Sequence, residues 1–189
     1  MLFRSLWGLM KRIAVFSDSH GNLSLLEKGL LAIGPFQVDE VLHLGDDYQD
    51  ANLVLDHGYA LTRVPGTWTV EYQDKYIDNR LYMNVEGWRL FLTHTPLSHN
   101  MDRLDDKAPE NVLADGLCDV FLHGHTHQPT ICKRGHTVMV NPGHVKNWED
   151  RGYPATFCIL SFTGVRLQVS IYLLKDGSLY LEEQFLKED

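Results

Sequence analysis

"VFLHGHTH", residues 120–127, carries an apolar run into three histidines on alternate positions. In an extended chain, side chains two apart share a face, so His123, His125 and His127 are expected to converge. The run ahead of them has the length and composition of a strand covered on both faces.

Three other segments read the same way: "IAVFS" (13–17), "EVLHL" (40–44) and "LFLT" (90–93). Helical patterns separate them. In "LSLLEKGLLAIG", Leu23, Leu26, Leu30 and Ile33 fall on one helical face, with Asn22 as cap and Gly34 as stop. "PENVLADG" opens on Pro109 and closes on Gly116. Beyond residue 129 the pattern becomes strands joined by tight turns, with Thr163-Gly164 and Asp176-Gly177 as hairpin signals. A β-α-β first half and a hairpin-rich second half imply an α/β fold of two facing sheets with helices outside.

Each of the four apolar strands ends in ligand-type side chains: Asp18 and His20, then Asp46, then His94, then His125 and His127. Sites in open α/β sheets form at the carboxyl ends of strands, so these remote residues are expected in one cleft. Two carboxylates and four imidazoles exceed what one tetrahedral zinc takes. They suit two ions clamping the oxygens of a phosphoryl transfer, with Asp46, alone on its strand, as the bridge. Mixed oxygen and nitrogen ligands suit manganese, the first choice here, and also iron, zinc, cobalt or nickel.

Bulk properties narrow the classes. A chain of 189 residues with 44% apolar content supports one sizeable core, so residues 10–189 are read as one domain and 1–9 as an N-terminal extension ahead of Met10. A net charge of −8 argues against general nucleic-acid or anionic-membrane binding. Cys118, Cys132 and Cys158 are odd in number and far apart, as in a reducing cytoplasm, and no run is long enough to span a membrane. A small phosphorylated or nucleotide-like substrate fits better, and self-association stays open.

The ordered blocks "DSH" (18–20), "GD" (45–46), "PGT" (65–67), "TH" (93–94), "GHTH" (124–127) and "NPG" (141–143) resemble the calcineurin-like metallophosphoesterase superfamily, in particular its small bacterial and archaeal phosphodiesterases. The likeness spans roughly residues 11 to 165. It implies a four-layer α/β/β/α sandwich of two mixed sheets flanked by helices, and a dinuclear centre. Asp18, His20 and His127 would then hold one ion, His94 and His125 the other, and Asp46 would bridge. A metal-bound hydroxide would attack phosphorus in line, with Asp46 and His94 assigned to the catalytic step.

Several positions depart from the family pattern. Thr67 stands where an asparagine amide normally reaches the second metal, and its hydroxyl is a poorer donor on a shorter arm. Trp68 replaces a residue that is often histidine, Thr95-Pro96 replaces Gly-His, and His144 replaces a serine. His123 is read as packing beneath the site or bonding a ligand, and His43 as a satisfied buried histidine. His57, His99, His136 and His144 are read as solvated turn residues, with substrate contact open to His99 and His144. Trp68 is read as core or pocket wall, although stacking on a base also fits, and "DRLDD" (102–106) as a solvated face. The reading is a divalent-metal-dependent phosphoesterase, in particular a phosphodiesterase. The alternative is a weakened or inactive member of the fold serving as an interaction module.

Overall fold

A computed structural model describes residues 10–187; the N-terminal extension expected over residues 1–9 lies outside the described residues. Two sheets face each other. The first has six strands in the order β13-β12-β11-β1-β2-β3: β1 is Lys11–Phe16, β2 Glu40–His43, β3 Leu61–Arg63, β11 Thr156–Phe162, β12 Arg166–Leu173 and β13 Leu179–Leu186. β1, β2 and β3 run parallel and the rest antiparallel. The second sheet has the order β4-β5-β6-β8-β7, from Arg80–Val85, Trp88–Thr93, Val120–Leu122, Thr137–Asn141 and Thr130–Arg134 respectively. A small hairpin of β9 (Glu149–Asp150) and β10 (Tyr153–Pro154) stands apart from both.

The unbroken apolar runs follow from this stacking, because successive side chains of a strand point to opposite faces. On β1, Ile13 and Val15 enter the core between the sheets, where they meet Leu42, Leu90, Leu92, Leu122 and Leu160. Ala14 and Phe16 point the other way, under α1 (Leu23–Ala32) and α2 (Asn52–Asp56). Across the molecule Phe91 and Phe121 of the second sheet pack under α3 (Pro109–Ala114) with Val112. The four expected layers are therefore present, with three short helices on the outside.

Asn22 caps α1 by accepting the Leu25 N–H at 3.1 Å. The buried face of α1 is Leu25, Leu26, Gly29 and Leu30, while Leu23, expected inside, is 46% exposed. Close approach to Phe16 sets this rotation: a Cβ on Gly29 would meet the edge of the Phe16 ring, so the helix turns that bare position inward.

Candidate metal centre

The strand ends converge, but across two sheets rather than along one. β1 and β2 deliver Asp18, His20 and Asp46 from the first sheet, and β5 and β6 deliver His94, His125 and His127 from the second. The cleft is the shared carboxyl edge of the sandwich.

Strand alternation does not produce the histidine convergence. β6 ends at Leu122, and His125 and His127 sit in a turn with φ of 67° and 63°. Asp18 and His20 also have positive φ, 57° and 47°. Non-glycine residues seldom occupy this left-handed region, and four candidate ligands in it mark a backbone held against its preference by surrounding contacts. The Asp18 carboxylate accepts the His125 N–H at 3.0 Å. Asn141 of the "NPG" block donates to the Gly124 carbonyl at 3.1 Å and to the Thr126 hydroxyl at 2.8 Å, clamping the histidine turn. Asp50 accepts from the Ser19 hydroxyl at 2.7 Å and the Gly21 N–H at 2.8 Å, clamping the aspartate turn.

Glycines make room at two points. Gly45 has φ +89° and a Cβ there would lie 2.7 Å from His94 Nδ1, while one on Gly124 would meet Ser17 and lie 2.6 Å from Asp18 Oδ2. A methyl group at either would displace a candidate ligand.

Asp18, His20, Asp46 and His127 offer ligand atoms that all lie within 4.8 Å of one another. His127 Nε2 is 3.3 Å from Asp18 Oδ1 and 3.1 Å from His20 Nε2. Asp46 faces both ways: its Oδ2 is 2.5 Å from His20 Nε2 and its Oδ1 3.3 Å from His94 Nε2. His125 Nδ1 lies 3.3 Å from that same His94 nitrogen. All six side chains named from the sequence are thus together, as one group of four and a second pair meeting it at Asp46.

Outer contacts orient the rings. His94 Nδ1 donates to the Leu44 carbonyl at 2.7 Å, and His127 Nδ1 to Asp150 Oδ2 at 2.6 Å. Both rings then turn Nε2 inward, the arrangement that prepares an imidazole for a metal. Asp18 is fully buried and Asp46 is 8% exposed, so two carboxylates meet several inward nitrogens in little water. Such a set calls for positive charge.

The proton affinities express the same demand. The hydrogen bond to Asp46 raises His20 against burial. Burial alone would lower His94, yet Asp46 and Asp18 raise it. Burial would lift Asp46, but bonds from His20 and His94 hold it far below the carboxylate range. His125 is lowered by burial and by neighbouring His94. A cation in the cleft would replace the protons these rings attract.

Thr67 is fully buried, follows Gly66, whose N–H donates to the Asp46 carbonyl at 3.0 Å, and among the described residues its hydroxyl has no hydrogen-bond partner. An orphaned buried hydroxyl at this place fits a neighbour of the second pair.

Several expectations need correction. His43 is buried between Phe16 and Arg63 of the flanking strands, but among the described residues neither ring nitrogen has a hydrogen-bond partner; burial lowers it to about 4. His144 is buried rather than solvated: its ring lies 5.3 Å from His127, and Nε2 meets the Tyr153 carbonyl at 3.0 Å. His123, by contrast, packs beneath the site as one of its two expected readings had it: it is buried below the turn, with Nδ1 3.1 Å from the Gly124 carbonyl. Trp68 is not core, being 73% exposed. "DRLDD" is solvated only at Leu104 and Asp105: Asp102 accepts from Tyr72 at 2.5 Å and Arg80 at 2.6 Å, and Asp106 from Asn79 at 2.8 Å. A charge run names no partners, and these come from other strands and turns.

Asp150 escaped the sequence reading. It sits on β9, 23 positions beyond His127, and also pairs with Lys146 at 3.2 Å. The neighbouring Arg151 donates to the His125 carbonyl at 3.0 Å. Its only sequence trace is "EDRG", an acidic residue before a turn, which carries no address.

Comparison with known proteins agrees with this architecture. A domain model described as the calcineurin-like phosphoesterase superfamily domain matches residues 10–164. Phosphodiesterase YfcE of Escherichia coli K12 is 29% identical over 172 residues, covering 80% of this chain and 88% of that protein. Phosphodiesterase MJ0936 of Methanocaldococcus jannaschii is 23% identical over 145 residues, covering 70% and 82%. Among solved structures, Chaetomium thermophilum Vps29 superposes with a TM-score of 0.71 at 18% identity, covering 95% of this chain and 96% of that one, a likeness of fold alone.

Proposed function

The chain belongs to the calcineurin-like phosphoesterase superfamily, and from that premise we propose that it is a divalent-metal-dependent phosphodiesterase acting in the cytoplasm on a small phosphorylated or nucleotide-like substrate. Asp18, His20 and His127 would hold one ion, His94 and His125 a second, with Thr67 beside it and Asp46 between. Bound there, such a pair supplies Lewis-acid charge for the phosphoryl oxygens and acidifies water. Manganese is the preferred ion, and residues 10–189 are taken as one domain.

The observation that carries this reading is the position of Asp46, whose two oxygens address two different histidine groups. The residues' own work follows from their contacts. Asp150 and the Leu44 carbonyl fix the two Nδ1 protons, so His127 and His94 present Nε2 without reorganising. Asp46 keeps its negative charge across the working pH range because both flanking imidazoles favour it. Asp18, Asp46, His94 and His127 are buried, and charges there interact more strongly than they would in water.

Among the described residues no helix is long and apolar enough to cross a membrane. The competing reading, a scaffold that no longer turns over, has Thr67 in its favour. Metal analysis and hydrolysis of bis(4-nitrophenyl) phosphate with manganese separate the two. Near two ions per chain with turnover supports the enzyme, and metal-free, inactive protein under every loading condition defeats it.

A further inference from the structure

We infer that Trp68 and His99 form an aromatic wall of the substrate cleft and select phosphoesters carrying a planar aromatic group; this rests on the phosphoesterase reading and adds the substrate class. A series of rings leads out of the second half of the site. His94 and His125 stand 5.1 Å apart between centroids, His125 and His99 5.9 Å, and His99 and Trp68 5.8 Å with planes at 85°. The first ring is fully buried and the last is 73% exposed. A large aromatic ring left in water is ordinary when isolated. Here it ends a continuous run of rings that begins at a candidate metal ligand.

The wall is also held in place. The Met101 N–H donates to His99 Nδ1 at 3.2 Å, which puts the proton of the neutral ring on Nε2, away from its own backbone. The His99 N–H donates to Asp102, whose carboxylate also receives the Tyr72 hydroxyl and the Arg80 guanidinium. Gln73 donates to the Met101 carbonyl at 2.7 Å, tying the Trp68 loop to the His99 loop. Trp68 itself lies within the turn closed by the Thr69 N–H on the Gly66 carbonyl, the same Gly66 whose N–H donates to the Asp46 carbonyl. A flat ring entering beside the phosphorus site would meet a preorganised surface, with less ordering to be lost on binding.

Stacking of a base on an aromatic side chain is worth about 5- to 150-fold in affinity, and exposure of Trp68 puts it toward the lower end, about 10-fold. The test is calorimetric binding to the manganese-loaded full chain of two matched pairs: AMP against ribose 5-phosphate, and phenylphosphonate against methylphosphonate. The wild type is expected to prefer the aromatic member by about 10-fold. Trp68→Ala removes the preference and Trp68→Phe keeps most of it. A preference in the first pair alone identifies a nucleoside substrate, in the second alone a simple aryl ester. No preference in the wild type, no binding of any of the four, or an undiminished preference in Trp68→Ala overturns the inference. Hydrolysis of bis(4-nitrophenyl) phosphate runs in parallel. Preference without turnover defeats only the phosphoesterase reading, and turnover without preference defeats only the aromatic wall.

Discussion

Asp18, His20 and His127 form one half of the cleft with carboxylates on two sides and a third carboxylate, Asp150, behind the His127 ring. His94 and His125 form the other half, with a backbone carbonyl behind His94 and the unpartnered hydroxyl of Thr67 in the adjoining turn. The first half is rich in negative charge and externally braced. The second also has two imidazoles, no carboxylate of its own and a weak neighbour. For the two-ion centre proposed above, the difference in donor chemistry predicts a tight first site and a loose second one.

The largest effect should come from removing what the halves share. Asp46→Asn is expected to lower manganese-dependent hydrolysis of bis(4-nitrophenyl) phosphate by at least about 10³-fold and to reduce metal content in both halves. Turnover that survives this change would show that the halves do not work through a common carboxylate.

Next comes the brace of the first half. Asp150→Ala should weaken the tighter of two manganese-binding steps by about 10- to 100-fold, while Asp150→Asn, which keeps an acceptor oxygen for His127 Nδ1–H, should lose much less. Calorimetric titration separates the steps. A loss confined to the weaker step would reverse the assignment of halves.

Thr67→Asn tests the second half from the other direction. A longer amide arm should tighten the weaker step by about 10-fold and raise the rate at limiting manganese. An unchanged rate with both steps already saturated would show that the second half is not the weak one.

The smallest effect concerns the floor beneath both. His43 is lowered to about 4 by burial, so its neutral form is the one folding favours. The unfolded chain then binds the extra proton first; stability is complete above the unfolded value near 6.5 and declines as pH falls toward 4. At pH 5.5 this costs about 1 kcal/mol, or about 2–4 °C in a domain of this size. His43→Leu in metal-free protein should flatten the fall in Tm between pH 7.5 and 5.5 by that amount. An identical pH slope would place the acid sensitivity in the histidines of the cleft instead.

The parts legible in sequence were those written in contiguous residues. "IAVFS" and "LFLT" read as covered strands because both of their faces are apolar, and the structure buries both. The six side chains that meet in the cleft could be picked out because each lies within a few residues of such a strand's end. Leu23 was misplaced because periodicity gives a helix a face but not its rotation, which Gly29 and Phe16 set. Trp68 and His144 exchanged their expected environments because exposure depends on what the neighbouring loops cover.

The sequence by itself determined the order of elements, the apolar strands and the identity of the chemistry-bearing side chains, since local patterning and residue chemistry carry that information without reference to distant contacts. Tertiary structure alone decided that the cleft lies between two sheets, that His125 and His127 converge through left-handed turns, and that Asp150 backs His127. These depend on pairings across 23 to 107 positions, and no local preference encodes which distant carboxylate or carbonyl will meet a given ring.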